Sequence, residues 1–390
     1  MSPSATVGST TVGEVVRDRS IVICCGSGGV GKTTTAAAFA LEAARLGRKA
    51  CVVTIDPARR LADSLGLDAL SNRPTLIDGP WPGRLHALML DPKGTFDDLV
   101  QRYSDSAEQA EDIKVNRIYR NLTGSLSGTQ EYMAMEKLYE LVEEGGFDLV
   151  VVDTPPTRNA LDFLDAPRRL THFLENRVFQ ALMQPTRVGL RVMGVAAQAL
   201  LRTISRVAGA DIVGDAVAFF QAFEGMEEGF RDRAARVREL LAQSDTAFIL
   251  VASPRSDSID EAVHFAGKLA ESKMSVTALV VNRVQPRFAD DDQLASLPRL
   301  EGVGAAGDLA QLVDNLRGYT AASDREERAF AELVSKVTPA PVYRVPLLNT
   351  DVHDLEGLAH IADLLFSGSG VAGPAGATPA APVSSPVQER

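Results

Sequence analysis

The octapeptide GSGGVGKT, Gly26 to Thr33, sits between a β-branched run, Ser20 to Cys25, and a helix-forming stretch that opens at Lys32. No other feature narrows the fold so far. The pattern GxxxxGK[ST] between a strand and a helix makes a phosphate-binding loop. Gly26, Gly28, Gly29 and Gly31 allow positive φ and let successive N–H groups turn inward, forming an anion nest with Ser27 and Val30 in its wall. The positive end of the following helix caps the nest. In this arrangement Lys32 bridges the β- and γ-phosphates of a nucleotide, Thr33 ligates magnesium, and the Thr34 hydroxyl reaches the α-phosphate.

The 390 residues, 45% of them apolar, suffice for a large core. Short β-branched runs, SIVICC, KACVVTI, FDLVVVD, TAFILVAS and SVTALVVN, alternate with longer helical patterns. Strands so apolar, with helices between them, predict an α/β fold: a doubly wound, mostly parallel sheet of the P-loop NTPase type with an α-helical insert. The expected organisation is a disordered N-terminus over 1–19, an ATPase domain over 20–366 and a disordered tail over 367–390. Phe96 to Gly145 reads as largely helical and polar. The insert, about 166–243, is apolar and basic. One stripe joins Leu190, Met193, Ala197, Leu200, Leu201, Ile204 and Val207, and a second joins Phe219, Phe220, Phe223, Met226 and Phe230. Between Pro167 and Ala210 seven arginines face a single acid, Glu175.

Two aspartates stand where an open parallel sheet binds ligands, at strand carboxyl ends. Asp153 ends LVVVD and is placed to hold a magnesium shell directly or through water. Asp56 ends KACVVTID and is placed to orient an attacking water. Each also fits ordinary turn or N-cap chemistry, since both precede proline-containing sequence.

The net charge of −11 opposes a sequence-independent grip on nucleic acid. No signal-like start and no run of 18 apolar residues occur, so the expected location is the cytoplasm, with peripheral attachment at the inner membrane face as a second reading. The three cysteines, Cys24, Cys25 and Cys51, lie in strand-like runs without metal-ligand spacing.

The segments GSGGVGKTT, IDPARRLADSLG, DLVVVDTPPT, VVNR and VPLLNTDVHDLEGL together resemble the arsenite-pump ATPase (ArsA) family, which includes the ATPase that delivers tail-anchored membrane proteins. The resemblance spans about Ile21 to Leu365. It implies ATP and Mg2+, a dimeric ATPase, Asp56 as the switch aspartate that positions water, and Asp153 on the magnesium side. It also implies that Asn282 and Pro346 lie around the adenine. The chain departs from the pattern at Ser27, where related dimeric ATPases carry a lysine that reaches the partner's nucleotide. Either the chain hydrolyses slowly or pairs with a paralogous subunit whose lysine completes the site, or another basic residue substitutes. The family's thiolate arsenite site and its CxxC zinc clasp have no counterpart, so neither arsenite nor zinc is expected. For the insert, three readings stay open: a groove for a hydrophobic transmembrane client, docking on a membrane or membrane protein, or ordinary core. A low-turnover nucleotide-binding regulatory subunit, working with a paralogous ATPase, is the alternative function.

Overall fold

The computed structural model describes residues 10–56, 60–117, 119–120, 129–155, 226–296 and 306–367, together with 215, 218, 219 and 222. Eight strands form one sheet: β1 (Ile21–Cys25), β2 (Lys49–Thr54), β3 (Thr75–Ile77), β4 (Arg84–Met89), β5 (Leu149–Asp153), β6 (Thr246–Ala252), β7 (Val276–Val284) and β8 (Val342–Pro346). Their order is β3-β4-β2-β5-β1-β6-β7-β8, and every pairing is parallel except β3 with β4. This is the expected mostly parallel α/β fold.

IVICC and LVVVD are buried at every position, as strands covered on both faces must be. Their alternation divides the core. Val22 and Cys24 pack with the helices Lys32–Arg45 and Leu355–Phe366, whereas Ile21, Ile23 and Cys25 face Thr129–Tyr139, Glu227–Ala242, Ser256–Glu271 and Ala331–Val337. Each fully buried valine, isoleucine or leucine here contributes about 1.5–3 kcal/mol through removal of apolar surface from water.

The N-terminal expectation needs correction. Disorder was expected through residue 19, yet Val12–Asp18 is a helix whose Val12, Val15 and Val16 are buried. A capping box explains it: the Glu14 amide donates to Thr11 Oγ1, and the Thr11 amide donates to the Glu14 carboxylate. The Val12 amide also donates to the Tyr343 hydroxyl on β8, which ties the helix to the sheet.

A third cluster lies beside the sheet, where Pro92–Tyr103, Ala107–Val115, Thr129–Tyr139 and Glu227–Ala242 surround Phe230. Phe230 meets Phe96 edge to face and lies against Tyr103 and Tyr132 at tilted ring angles. Most of the predicted insert, including its first apolar stripe, lies outside the described residues. Of the second stripe, Phe219, Met226 and Phe230 are described, and all three are buried in this cluster. Among the described residues no helix is long and apolar enough to cross a membrane.

Candidate nucleotide site

β1 leads on to β2 on one side of the strand order, whereas its neighbour β6 leads on to β7 on the other. A crevice opens outside the carboxyl ends of parallel strands at such a reversal. The loop Gly26 to Thr33 lies there, and a cavity of about 450 Å³ opens over it, within the size range of small-molecule sites. Gly28, Gly29, Gly31, Lys32, Thr33 and Thr34 line the cavity on the loop side. Asp56, Asp153, Asn282 and Pro346 line it as well, so one space brings together residues up to 318 positions apart in sequence.

Three loop residues serve from behind. Gly26, Ser27 and Val30 do not line the cavity, because the loop folds back onto β6 and β7. A Cβ on Gly26, whose φ is +153°, would stand 2.0 Å from the Val251 carbonyl oxygen, a backbone atom that cannot step aside. The Ser27 hydroxyl donates to Ser258 Oγ at 3.0 Å, and that oxygen also accepts from the Ser253 amide. Val30 is buried, and its carbonyl accepts from Asn282 Nδ2 at 2.8 Å. Positive φ occurs at Gly26, Gly29 and Gly31 but not at Gly28, so three of the four expected glycines use that freedom.

Lys32 opens the helix Lys32–Arg45 and is buried, with Nζ donating to the Ser27 carbonyl at 2.9 Å. Burial pushes its pKa below the ordinary lysine value, while the Asp153 and Asp56 charges pull it back up. A lysine ammonium folded onto its own loop is a compact anion-binding arrangement.

Asp153 is the most constrained group. Its Oδ2 accepts from Thr33 Oγ1 at 2.7 Å and from Thr54 Oγ1 at 2.9 Å. Its Oδ1 is buried without a hydrogen-bond partner. Burial raises the carboxyl above its ordinary range, and the two hydroxyls and the Lys32 charge oppose that rise. A buried carboxylate oxygen with no donor is costly, and a cation satisfies it. The donor set of Thr33 hydroxyl and Asp153 carboxylate is hard oxygen chemistry and fits Mg2+.

Asp56 is half-buried two residues past the end of β2 and lines the same cavity. Asn282 spends both ends of its amide on the protein: Nδ2 holds the Val30 carbonyl, and Oδ1 accepts from the Arg283 amide. It therefore braces the loop as well as lining the cavity. Pro346 stands at the end of β8, and Leu347 and Leu348 after it line the cavity too.

Thr54, Arg60, Ser258 and Arg283 were not singled out from the sequence. Arg60 lines the cavity at the first turn after Asp56, and its positive charge acts on Lys32. Thr54 had a local signal, as the lone hydroxyl in the buried run of β2. Ser258 had none, being 231 residues from Ser27.

The three thiols sit inside the sheet. Burial pushes Cys25 up to about 12 and Cys24 and Cys51 well above the ordinary thiol value.

Comparison with known proteins gives these features a family. Residues 19–299 match the sequence profile of the anion-transporting ATPases (ArsA ATPase). A protein named putative arsenical pump-driving ATPase 1 from Aquifex aeolicus is 24% identical over 89% of this chain and 78% of its own length. ATPase GET3B from Arabidopsis thaliana is 25% identical over 87% of this chain and 77% of its own. ATPase get3 from Aspergillus terreus is 32% identical over a shorter stretch, 36% of this chain and 41% of its own. The profile spans well over half of the chain, loop and both aspartates included: the chain belongs to the anion-transporting ATPase family and is an ATPase.

Proposed function

We propose that the chain binds Mg·ATP at the loop Gly26 to Thr33, hydrolyses it with Asp56 orienting the water, and uses the cycle to bind and release a hydrophobic client or membrane-protein partner. The observation that carries the site reading is the buried Asp153 carboxylate, with Oδ2 held by two hydroxyls and Oδ1 lacking a donor beside Thr33.

In this reading the loop amides and Lys32 hold the phosphates, and Lys32 leaves the Ser27 carbonyl to do so. Thr33 and Asp153 hold Mg2+, which when bound neutralises charge on the β- and γ-phosphates. Asn282 and Pro346 flank the base, supported by their place in the lining of the same cavity. Asp56 accepts a hydrogen bond from the attacking water and fixes its line of approach. No thiol chemistry enters, since the only three cysteines are core residues with strongly raised pKa values. The chain works as a dimer in the cytoplasm, and neither zinc nor nucleic acid takes part; the net charge of −11 supports the last point.

The test uses two variants of the full chain. Lys32→Ala is expected to lose ATP binding in calorimetric titration. Asp56→Asn is expected to retain binding and lose about two orders of magnitude in phosphate release, the scale of a misplaced proton-handling group. Normal hydrolysis by Asp56→Asn would overturn the water-positioning role, and unchanged affinity of Lys32→Ala would overturn the site. The client reading is tested by crosslinking the ATP-bound chain to a transmembrane peptide, and no capture rejects it.

A further inference from the structure

Thr54 lies at the last position of β2, directly across from Asp153 on β5 in the parallel register. Paired residues on neighbouring strands project to the same face, so the two side chains are neighbours by construction. Both are buried, and the Thr54 hydroxyl donates to Asp153 Oδ2 at 2.9 Å. The backbone reinforces the contact, because the next amide, Ile55, donates to the Asp153 carbonyl at 3.1 Å. Gln130 Nε2 in turn donates to the Ile55 carbonyl at 3.1 Å. The chain leading into Asp56 is therefore pinned to the strand end that carries Asp153.

We infer that Thr54 is a positioning residue for the metal-binding step: its hydroxyl holds the rotation of the Asp153 carboxylate plane and ties it to the strand end bearing Asp56. The inference rests on the Mg2+ assignment proposed above.

A terminal carboxylate torsion is broad, so a single donor leaves the plane of the group free to rock about the Cβ–Cγ bond. Thr33 supplies one donor, from the loop helix. Thr54 supplies the second from β2 and places it on the same oxygen, leaving Oδ1 as the acceptor without a protein donor. Thr54 is suited to hold this geometry, since its branched Cβ restricts χ1 and its strand is buried. When the Thr33 oxygen turns toward a cation, Thr54 keeps its hold on Oδ2, and the carboxylate plane keeps its orientation. Partners of this kind around metal ligands typically change metal affinity 10–100-fold on removal.

The experiment compares Thr54→Val, which keeps shape and removes the donor, with Thr54→Ser, which keeps the donor. Binding of a fluorescent ATP analogue is titrated with MgCl2 and repeated in EDTA, with phosphate release followed in parallel. Thr54→Val is expected to raise the half-saturating Mg2+ concentration about 10–100-fold and to leave EDTA-state nucleotide affinity unchanged. Thr54→Ser is expected to stay within about threefold of the parent, since the charge-directed hydrogen bond survives. A folded Thr54→Val with the parent's Mg2+ dependence would overturn the inference. Should Thr54→Val not fold, Thr54→Ala, which removes the same hydroxyl, is read by the same criteria. Asp153→Asn separates the two levels. If it raises the Mg2+ requirement and the Thr54 variants do not, the inference about Thr54 fails alone; if it changes nothing, the Mg2+ assignment fails with it.

Discussion

Ser27 decides more about this site than its size suggests. The residue is only 6% exposed, and its hydroxyl is directed at Ser258, which does not line the cavity. A lysine at this position cannot fit that slot, so its ammonium must turn out of it, and in the proposed dimer it is free to reach toward the transferred phosphate. Hydrolysis concentrates charge on the transferred phosphoryl group, and a cation supplied there accelerates it strongly. Ser27→Lys is therefore expected to raise phosphate release per chain by about tenfold or more, a modest share of what a well-placed cation supplies. Steady-state assays at fixed Mg·ATP check this. An unchanged rate would assign the role to a cation in cis, for which Arg60 is placed on the cavity wall.

At the level of elements, the strands and the loop were legible because their signals are local. IVICC and LVVVD are apolar at every step or end in a single acid, and each became a buried strand. The site was legible in its parts, since a strand end and a glycine loop announce themselves. The hydrogen bonds that knit it were not: Thr54 to Asp153 spans 99 residues and Ser27 to Ser258 spans 231. The helix Val12–Asp18 failed for another reason. Its small size hid a capping box, and its valines gain stability only from the helices and strand they meet. A buried polar network joins the helices Thr129–Tyr139 and Glu227–Ala242. Arg233 Nε donates to Glu136 at 2.8 Å, its guanidinium lies 3.9 Å from the Tyr139 ring centre, and it shares Glu144 with Arg102. Arg233→Met removes the partner and leaves the Glu136 charge buried, so a loss of about 3 kcal/mol in unfolding free energy is expected. Burial already raises the Glu136 pKa despite the arginine, and removing Arg233 raises it further. An acid with a raised folded pKa costs stability as pH rises above its unfolded value. The penalty of Arg233→Met should therefore be smaller at pH 5 than at pH 7.5, as paired denaturant titrations will show.

For the whole molecule, the question is what ATP assembles. The loop, both aspartates and a cavity wall come from one chain, so a single copy is expected to bind nucleotide. Efficient hydrolysis by a dimer is a separate step, because Ser27 contributes no charge toward a partner. These two steps have different thermal signatures. ATP at about 100 times its dissociation constant stabilises the folded chain by about 2.7 kcal/mol. For a chain of this size that corresponds to a rise in melting temperature of about 4 °C, independent of protein concentration if the bound species is a monomer. If ATP also drives association, the melting temperature in ATP must rise further with each tenfold increase in protein, while without ATP it stays constant. We expect the concentration-dependent behaviour, with native mass spectrometry giving twice the chain mass in Mg·ATP and one chain mass without nucleotide. A single-chain mass in both conditions, with a concentration-independent melting shift, would reject nucleotide-driven self-association and leave a non-identical subunit as the partner to be sought by mixing experiments.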